Sequence, residues 1–468
     1  MPSEPPDTHM IDTLESATAY LESLINVEKR PDWPYRRFSL DPVRALLGRL
    51  GRPEHGLSVL HIAGSKGKGS TALFAEALLR GRGGSTGVFL SPHLERWTER
   101  FRIDGEEVDG ARLAEAVEQV RPHVEALRAE GAEAAPTFFD VTTAVALLLF
   151  RDARVDHVVL EVGLGGRLDS TNACEPRVTC VTSIELEHTD RLGNTLEAIA
   201  FEKAGILKPG VPAVMGALPE PARRVVEERA LELGAPLAAL GRDFHCEVED
   251  RGLEGSRVHV VDGDFEARFS LSLLGPAAPM NAALAIACVR RLVVGAPAPA
   301  PAPDWIQTAL RDVSLPGRIE VLGREPWILV DAAHTPASVA ALARVLEGLD
   351  APIELVLSIS ADKDAPALLR SLLPLAQRVT LTRAEPTRSL APEEIARAAA
   401  IVAPGLELRT VPNPHLALRA AREAATPDGA VCATGSVYLA GIARAVFRDP
   451  DAARLVAVTR RPSPHEGR

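Results

Sequence analysis

The segment HIAGSKGKGST, from His61 to Thr71, joins an apolar run to one with helical spacing. Glycines at 64, 67 and 69 let backbone N–H groups close on phosphate oxygens, and a helix N-terminus adds its positive dipole. Lys68 reaches the β- and γ-phosphates, and Ser70 offers a hydroxyl to phosphate or metal. The spacing departs from the standard phosphate loop, because Gly69 separates the lysine from the serine. The bland alternative is a glycine-rich strand-to-helix turn with a solvent-facing lysine; the strand before and the helix after favour nucleotide phosphate.

Further along, VDHVVLEVGLGGRLDSTNAC places Glu161 at the carboxyl end of an apolar strand, where ligands bind in open α/β sheets. Arg167, Asp169, Thr171 and Asn172 follow in a polar loop. A lone strand-end carboxylate is often structural; beside a phosphate loop it is a better magnesium ligand. In SIELEHTDRLGNTLEAIAFEKAGILKPG, His188 lies past another strand end and Thr195 can cap a helix. Leu196, Ile199, Ala200 and Lys203 then share one helix face. Lys203 either snorkels to the surface or is held inward near His188 and the phosphates. Asn281 reads as a helix cap in PMNAALA. Arg318 lies in a turn into a strand, and Asp331 and His334 lie in WILVDAAHTP at a strand's carboxyl end. Singly, each reads as a turn former or a satisfied polar group.

The elements that must position these residues alternate. LSVLHIAG, TGVFLS, VDHVVLEVG, VTCVTSI and VPAVMG are short apolar strands separated by helical patterns. This implies an α/β fold with a mainly parallel sheet and helices on both faces. The region Gly241 to Leu274 reads as antiparallel strands or an excursion. PWILVDAAH, IELVLSIS, RVTLTRA and AVCATGS then announce a second, smaller α/β layer. Between the two, VVGAPAPAPAPDW behaves as a semi-rigid spacer. The expected organisation is an ATP-binding domain over 1–294, a Pro/Ala-rich linker over 295–304, and a C-terminal domain over 305–468. The tail from Arg460 is expected to be disordered.

Composition narrows the partners. The 468 residues are 46% hydrophobic and 25% charged, enough to bury sizeable cores. The formal net charge of -11 argues against nucleic acid. Five scattered cysteines form no CxxC pair, which disfavours a disulfide framework or structural zinc. The start, MPSEPPDTHMIDTLES, lacks a basic region followed by an apolar one, and no apolar stretch of about 18 residues occurs. No membrane span is expected, and the cytoplasm is the default location.

Taken together, these motifs resemble the folylpolyglutamate synthase and dihydrofolate synthase family of the Mur ligase superfamily. The resemblance runs from about Tyr20 to about Gly441. It is carried by the ordered series GSKGKGST, FLSPHLERWTERFRIDG, TFFDVTTAVALLLF, EVGLGGRLDSTN, IELEHTDRLG, EKAGILKPG, LPGRIEV, DAAHTP, SADKD and ATGSVYLAG. It implies a P-loop ATPase domain joined to a Rossmann-like C-terminal domain. The implied activity joins L-glutamate to dihydropteroate or tetrahydrofolate through an acyl phosphate, with ATP and magnesium, two metal sites and a monomer.

By position, the resemblance makes Gly64, Ser65, Lys66, Gly67, Lys68, Gly69 and Ser70 the phosphate wrap. Ser91, Glu161 and His188 match magnesium ligands. Lys203 matches a lysine that family members carbamylate, and Asp169 lies where the family holds the pterin or its loop. Asn281, Arg318, Asp331 and His334 match positions at the nucleotide. Lys66 stands where many bacterial members have Asn, Glu187 where Asp is more usual, and Ala332 and Thr335 where the common pattern has Gly and Asn.

Overall fold

Strands buried on both faces read as near-continuous apolar runs, and β1 (Val59–Ala63) is one apart from His61, with all five residues buried. The computed structural model describes residues 10–26, 38–293 and 304–448. The expected linker up to residue 303 and the tail beyond Arg460 lie outside the described residues. Two compact units are formed: one of Met1–Val248, Val258–Ser270 and Ala277–Val313, the other of Glu249–Arg257, Leu271–Pro276 and Ser314–Arg468.

The first unit is built on an eight-stranded sheet. Its other strands are β2 (Thr86–Phe89), β3 (Phe101–Ile103), β4 (Glu106–Glu107), β5 (His157–Glu161), β6 (Val178–Val181), β7 (Ala213–Met215) and β8 (Leu237–Ala239), ordered β4-β3-β2-β5-β1-β6-β7-β8. All pairings are parallel except β2 with β3 and β3 with β4. The antiparallel hairpin was not among the expected strands. Asp104-Gly105 closes it, with φ of 50° and 87°, the geometry that the two-residue Asp-Gly turn favours.

The chain leaves β1 toward β2 on one side, and β6 to β8 extend the other, so β1 stands where the strand order reverses. That is the position at which open α/β sheets receive ligands. The Phe138–Ala153 helix is buried around nearly its whole circumference and joins β5's Val158 and Leu160 in one core. The Lys68–Gly81 and Ala277–Leu292 helices pack against each other and on the sheet. Asn281 therefore sits in the second turn of its helix, which begins at Ala277, instead of capping it.

The excursion forms a three-stranded sheet of β9 (Phe244–Asp250), β10 (Ser256–Asp262) and β11 (Phe265–Leu271). The second unit carries β12 (Glu320–Arg324), β13 (Trp327–Val330), β14 (Ile353–Leu357), β15 (Arg378–Leu381), β16 (Glu407–Thr410) and β17 (Ala430–Thr434), ordered β12-β13-β17-β14-β15-β16. Only β12 runs antiparallel, at the edge beside β13. Among the described residues, no helix is long and apolar enough to cross a membrane.

Candidate active site

The phosphate loop hangs from β1 and is stapled to the end of β6. Ser65 N–H donates to the Ser183 carbonyl at 2.8 Å, and Lys66 N–H to Ser183 Oγ at 2.8 Å. Thr182 Oγ1 donates to the Lys66 carbonyl at 2.6 Å. Gly67 takes φ 83° as the N-cap residue, and the helix begins at Lys68. A Cβ at position 67 would lie 2.5 Å from Asn281 Oδ1. Glycine is thus required there twice, by backbone conformation and by the Asn281 amide packed against the loop.

Three lysines and one carboxylate gather at this turn. Lys68 Nζ and Lys203 Nζ both donate to the Gly64 carbonyl, each at 2.9 Å. Lys203 also pairs with Glu187 Oε1 at 3.0 Å, and Lys66 lies 3.5 Å from Glu187 Oε2. The Lys203 side chain is 3% exposed. The helical spacing thus placed it on the buried face, and the inward arrangement holds. Burial, then the neighbouring Lys68 charge, bring its amine down to about 8 against the pull of Glu187. Burial alone would raise Glu187, but Lys203, Lys68 and Lys66 outweigh it and hold the carboxyl at about 2. Glu187 is the partner that sequence reasoning missed. The available signal was the buried lysine itself, which needs an anion within reach.

On the other flank of β1, Glu161 ends β5 beside the first turn of the phosphate helix: a Cβ at Gly69 would lie 3.2 Å from Glu161 Oε2. Ser91 N–H donates to the same oxygen at 3.0 Å. Ser91 Oγ is buried without a hydrogen-bond partner among the described residues. A carboxylate with an uncommitted hydroxyl is a hard oxygen set that suits magnesium, which keeps several waters and phosphate oxygens as its remaining ligands. Among the described residues, no group of three or more His, Cys, Asp or Glu side chains forms a metal cage. His188 sits at the start of the short Thr189–Leu192 helix with φ 47°, and its charge helps hold Glu187 down.

Asp169 faces inward. Its Oδ2 accepts from Gly163 N–H at 3.1 Å and Leu164 N–H at 2.9 Å, and its Oδ1 accepts from Thr171 N–H at 3.1 Å and from the Thr171 hydroxyl. Burial lifts it to about 6 despite these bonds. Its observed work is to fold the loop that follows Glu161. Arg167 docks that loop on the Leu196–Ala204 helix through a forked pair with Glu202.

The second unit's residues form their own arrangement at the end of β13. Asp331 accepts from Ile319 N–H at 2.7 Å and Ala333 N–H at 2.8 Å. Burial raises it to about 6, with Arg318 opposing. Ile319 has φ 46°, a strained conformation for a β-branched residue. Asp331 therefore clamps the turn that carries Arg318. His334 Nδ1 lies 2.8 Å from the Ala332 carbonyl, which fixes the proton on that nitrogen.

A phosphate loop at a sheet's reversal point, followed by a second parallel α/β unit, defines a Mur-type ligase. Residues 62–289 match the Mur ligase middle domain, and residues 317–437 match the Mur ligase glutamate ligase domain. The chain is 36% identical to the probable bifunctional folylpolyglutamate synthase/dihydropteroate synthase of Haloferax volcanii, over 88% of this chain. It spans 49% of that relative's length. It is 32% identical to the dihydrofolate synthase/folylpolyglutamate synthase of Mycobacterium tuberculosis, over 96% of this chain and 99% of that one.

Solved structures agree. Folylpolyglutamate synthase of M. tuberculosis complexed with ADP superposes with a TM-score of 0.84 at 30% identity, covering 93% of this chain and 98% of that one. E. coli FolC in complex with DHPP and ADP gives 0.82 at 29%, covering 96% and 100%. The Yersinia pestis bifunctional folylpolyglutamate synthase/dihydrofolate synthase complexed with AMPPNP and Mn ion gives 0.78 at 30%, covering 95% and 100%. The chain belongs to the folylpolyglutamate synthase/dihydrofolate synthase family of the Mur ligase superfamily.

Proposed function

We propose that this chain uses ATP to join L-glutamate to a folate-type carboxylate, dihydropteroate or tetrahydrofolate or both, through an acyl phosphate, releasing ADP and phosphate. The observation that carries this reading is the convergence of Lys68 and Lys203 on the phosphate turn, with Ser91 and Glu161 on its other flank. The Gly67–Ser70 amides and Lys68 hold the phosphates and meet the charge that spreads over the transferring phosphoryl group. Ser91, Glu161 and His188 would hold magnesium, at two sites, and the metal would supply Lewis-acid neutralisation of that charge. Asn281, packed against the phosphate loop, serves as a nucleotide contact. By family position Arg318 and His334 are assigned to the nucleotide as well, with Asp331 acting through the turn that carries Arg318. Asp169 shapes the loop that receives the pterin. The amine of glutamate then attacks the activated carbonyl and phosphate leaves.

Lys203 enters this reading as a carbamylated residue. An amine brought down to about 8 presents more free base near neutrality than an ordinary lysine, and the free base is the form that takes up carbon dioxide. Intact mass with and without bicarbonate tests this; free amine alone in fully active enzyme removes the modification. The reading also takes the protein as a cytoplasmic monomer.

The deciding assay is glutamate-dependent ADP release with MgATP, run separately with dihydropteroate and with tetrahydrofolate and followed by product mass. One added glutamate on dihydropteroate establishes dihydrofolate synthesis, and addition to tetrahydrofolate establishes polyglutamylation. ATP binding without glutamate transfer to either acceptor overturns the assignment.

A further inference from the structure

β1 carries a histidine in the middle of a run that is otherwise apolar. His61 is fully buried, and its Nε2 lies 2.8 Å from Thr171 Oγ1, across 110 residues of sequence. Thr171 is also fully buried, and its hydroxyl donates to Asp169 Oδ1. A hydroxyl has one proton to give. Since Thr171 gives that proton to Asp169, it must accept from His61, so the imidazole carries its proton on Nε2. His61 Nδ1 is then a bare acceptor, and it is buried with no partner among the described residues.

This arrangement is poor if stability alone is at stake. An apolar side chain in β1 would avoid burying an unpaired ring nitrogen. What the histidine adds is direction. It fixes the Thr171 hydroxyl, which fixes one oxygen of Asp169, whose other oxygen holds the Gly163 and Leu164 amides. His61 stands three positions before Gly64, so the strand that presents the phosphate loop also anchors the loop after Glu161. Burial, with Lys208 adding to it, lowers the imidazole to about 3, so the ring stays neutral over the working range.

We infer that His61 is a positioning residue, which acts through the Thr171 hydroxyl and Asp169 to hold the Gly163–Asn172 loop in register with the phosphate loop, and so sets the fit of the acid acceptor. This rests on the ligase reading above, in which that loop receives the pteroate-type acid. His61→Leu removes the donor at similar volume, His61→Gln keeps an N–H near the Nε2 position, and Thr171→Val and Thr171→Ser make the same contrast one step along.

The test measures kcat and KM for ATP and for the pteroate acceptor, together with hydrogen–deuterium exchange of the peptide spanning 163–172. The expected result for His61→Leu and Thr171→Val is a roughly tenfold higher acceptor KM, with ATP KM and kcat within about twofold, and faster exchange of the loop. His61→Gln and Thr171→Ser should restore both. Leu and Gln variants that behave alike, or an ATP KM that rises in step with the acceptor KM, overturn the inference. Exchange is read without any substrate. A wild-type protein that transfers no glutamate but shows loop protection lost in His61→Leu and kept in His61→Gln would therefore count against the ligase reading and not against the relay.

Discussion

At the end of β1 the carbonyl of Gly64 accepts two ammonium groups, whereas at the end of β13 the carboxylate of Asp331 accepts two backbone N–H groups. Both strands belong to mainly parallel sheets, and both lead into a loop at the carboxyl edge. The first loop gathers side-chain charge around an open turn. The second uses one buried charge to hold a strained turn at Ile319. Strand ends thus supply a place for chemistry without dictating its kind. The glycines and lysines after β1 concentrate positive charge, which is what the proposed phosphate site needs, and the aspartate after β13 makes a fixed shape.

The sharpest way to break this contrast is at the first site. Glu161→Gln and Lys68→Met should each lower kcat for glutamate-dependent ADP release by about a thousandfold or more. Near-normal turnover of a well-folded variant would remove either residue from the chemistry. Next comes Gly67→Ala, which adds a Cβ 2.5 Å from Asn281 Oδ1 at a backbone φ of 83°. ATP affinity should fall by roughly ten- to a hundredfold, and an Asn281→Ala partner should recover only the steric part. An unchanged nucleotide Kd in calorimetry would show that the loop adapts.

The two ends should also respond oppositely to acid. Asp331, raised to about 6 in the fold, favours the native state most when protonated, and that contribution is lost as pH rises through 6. From pH 7 to pH 4, denaturant unfolding should therefore shift in favour of wild type over Asp331→Asn by about 2 kcal/mol. Glu187, held at about 2, contributes stability above the ordinary carboxylate range and loses it as pH falls toward 2. Against Glu187→Gln, wild type should accordingly lose ground on acidification; two curves of the same sign would erase the distinction. The smallest effect is expected for Lys66→Asn. The 3.5 Å pair with Glu187 involves a side chain 31% exposed, so stability should change by less than about 1 kcal/mol.

Much of this is legible in the sequence. The strands ending at Ala63, Glu161 and Val330 announce themselves as apolar runs stopped by polar or glycine-rich turns, and the spacing from Leu196 to Lys203 puts the lysine on the buried face. The β3–β4 hairpin was missed because its strands are three and two residues long, though Asp104-Gly105 marks its turn. The strand after Arg318 is legible, but not its antiparallel run beside β13, since the direction of a strand is set by its neighbour in the sheet. His61 and Thr171 were not legible as partners because their contact joins segments 110 residues apart, whereas Glu187, 16 residues before Lys203, could have been sought as the anion a buried lysine needs. An Asp-x-Thr turn can be read locally, but a histidine 110 residues earlier that completes it cannot.

The placement of β1 at the centre of its sheet also fixes an order of events during synthesis. Its phosphate loop emerges early, but Lys203, the second lysine to meet the Gly64 carbonyl, lies 139 residues further on, and Asn281 follows later still. Contacts of such long sequence separation close late in folding. A nascent chain that has exposed HIAGSKGKGST therefore holds the loop's sequence without its walls. Competence to grip nucleotide arrives only when the first unit is nearly complete, so a ribosome-bound or truncated fragment ending before the Ala277–Leu292 helix is expected to bind ATP weakly.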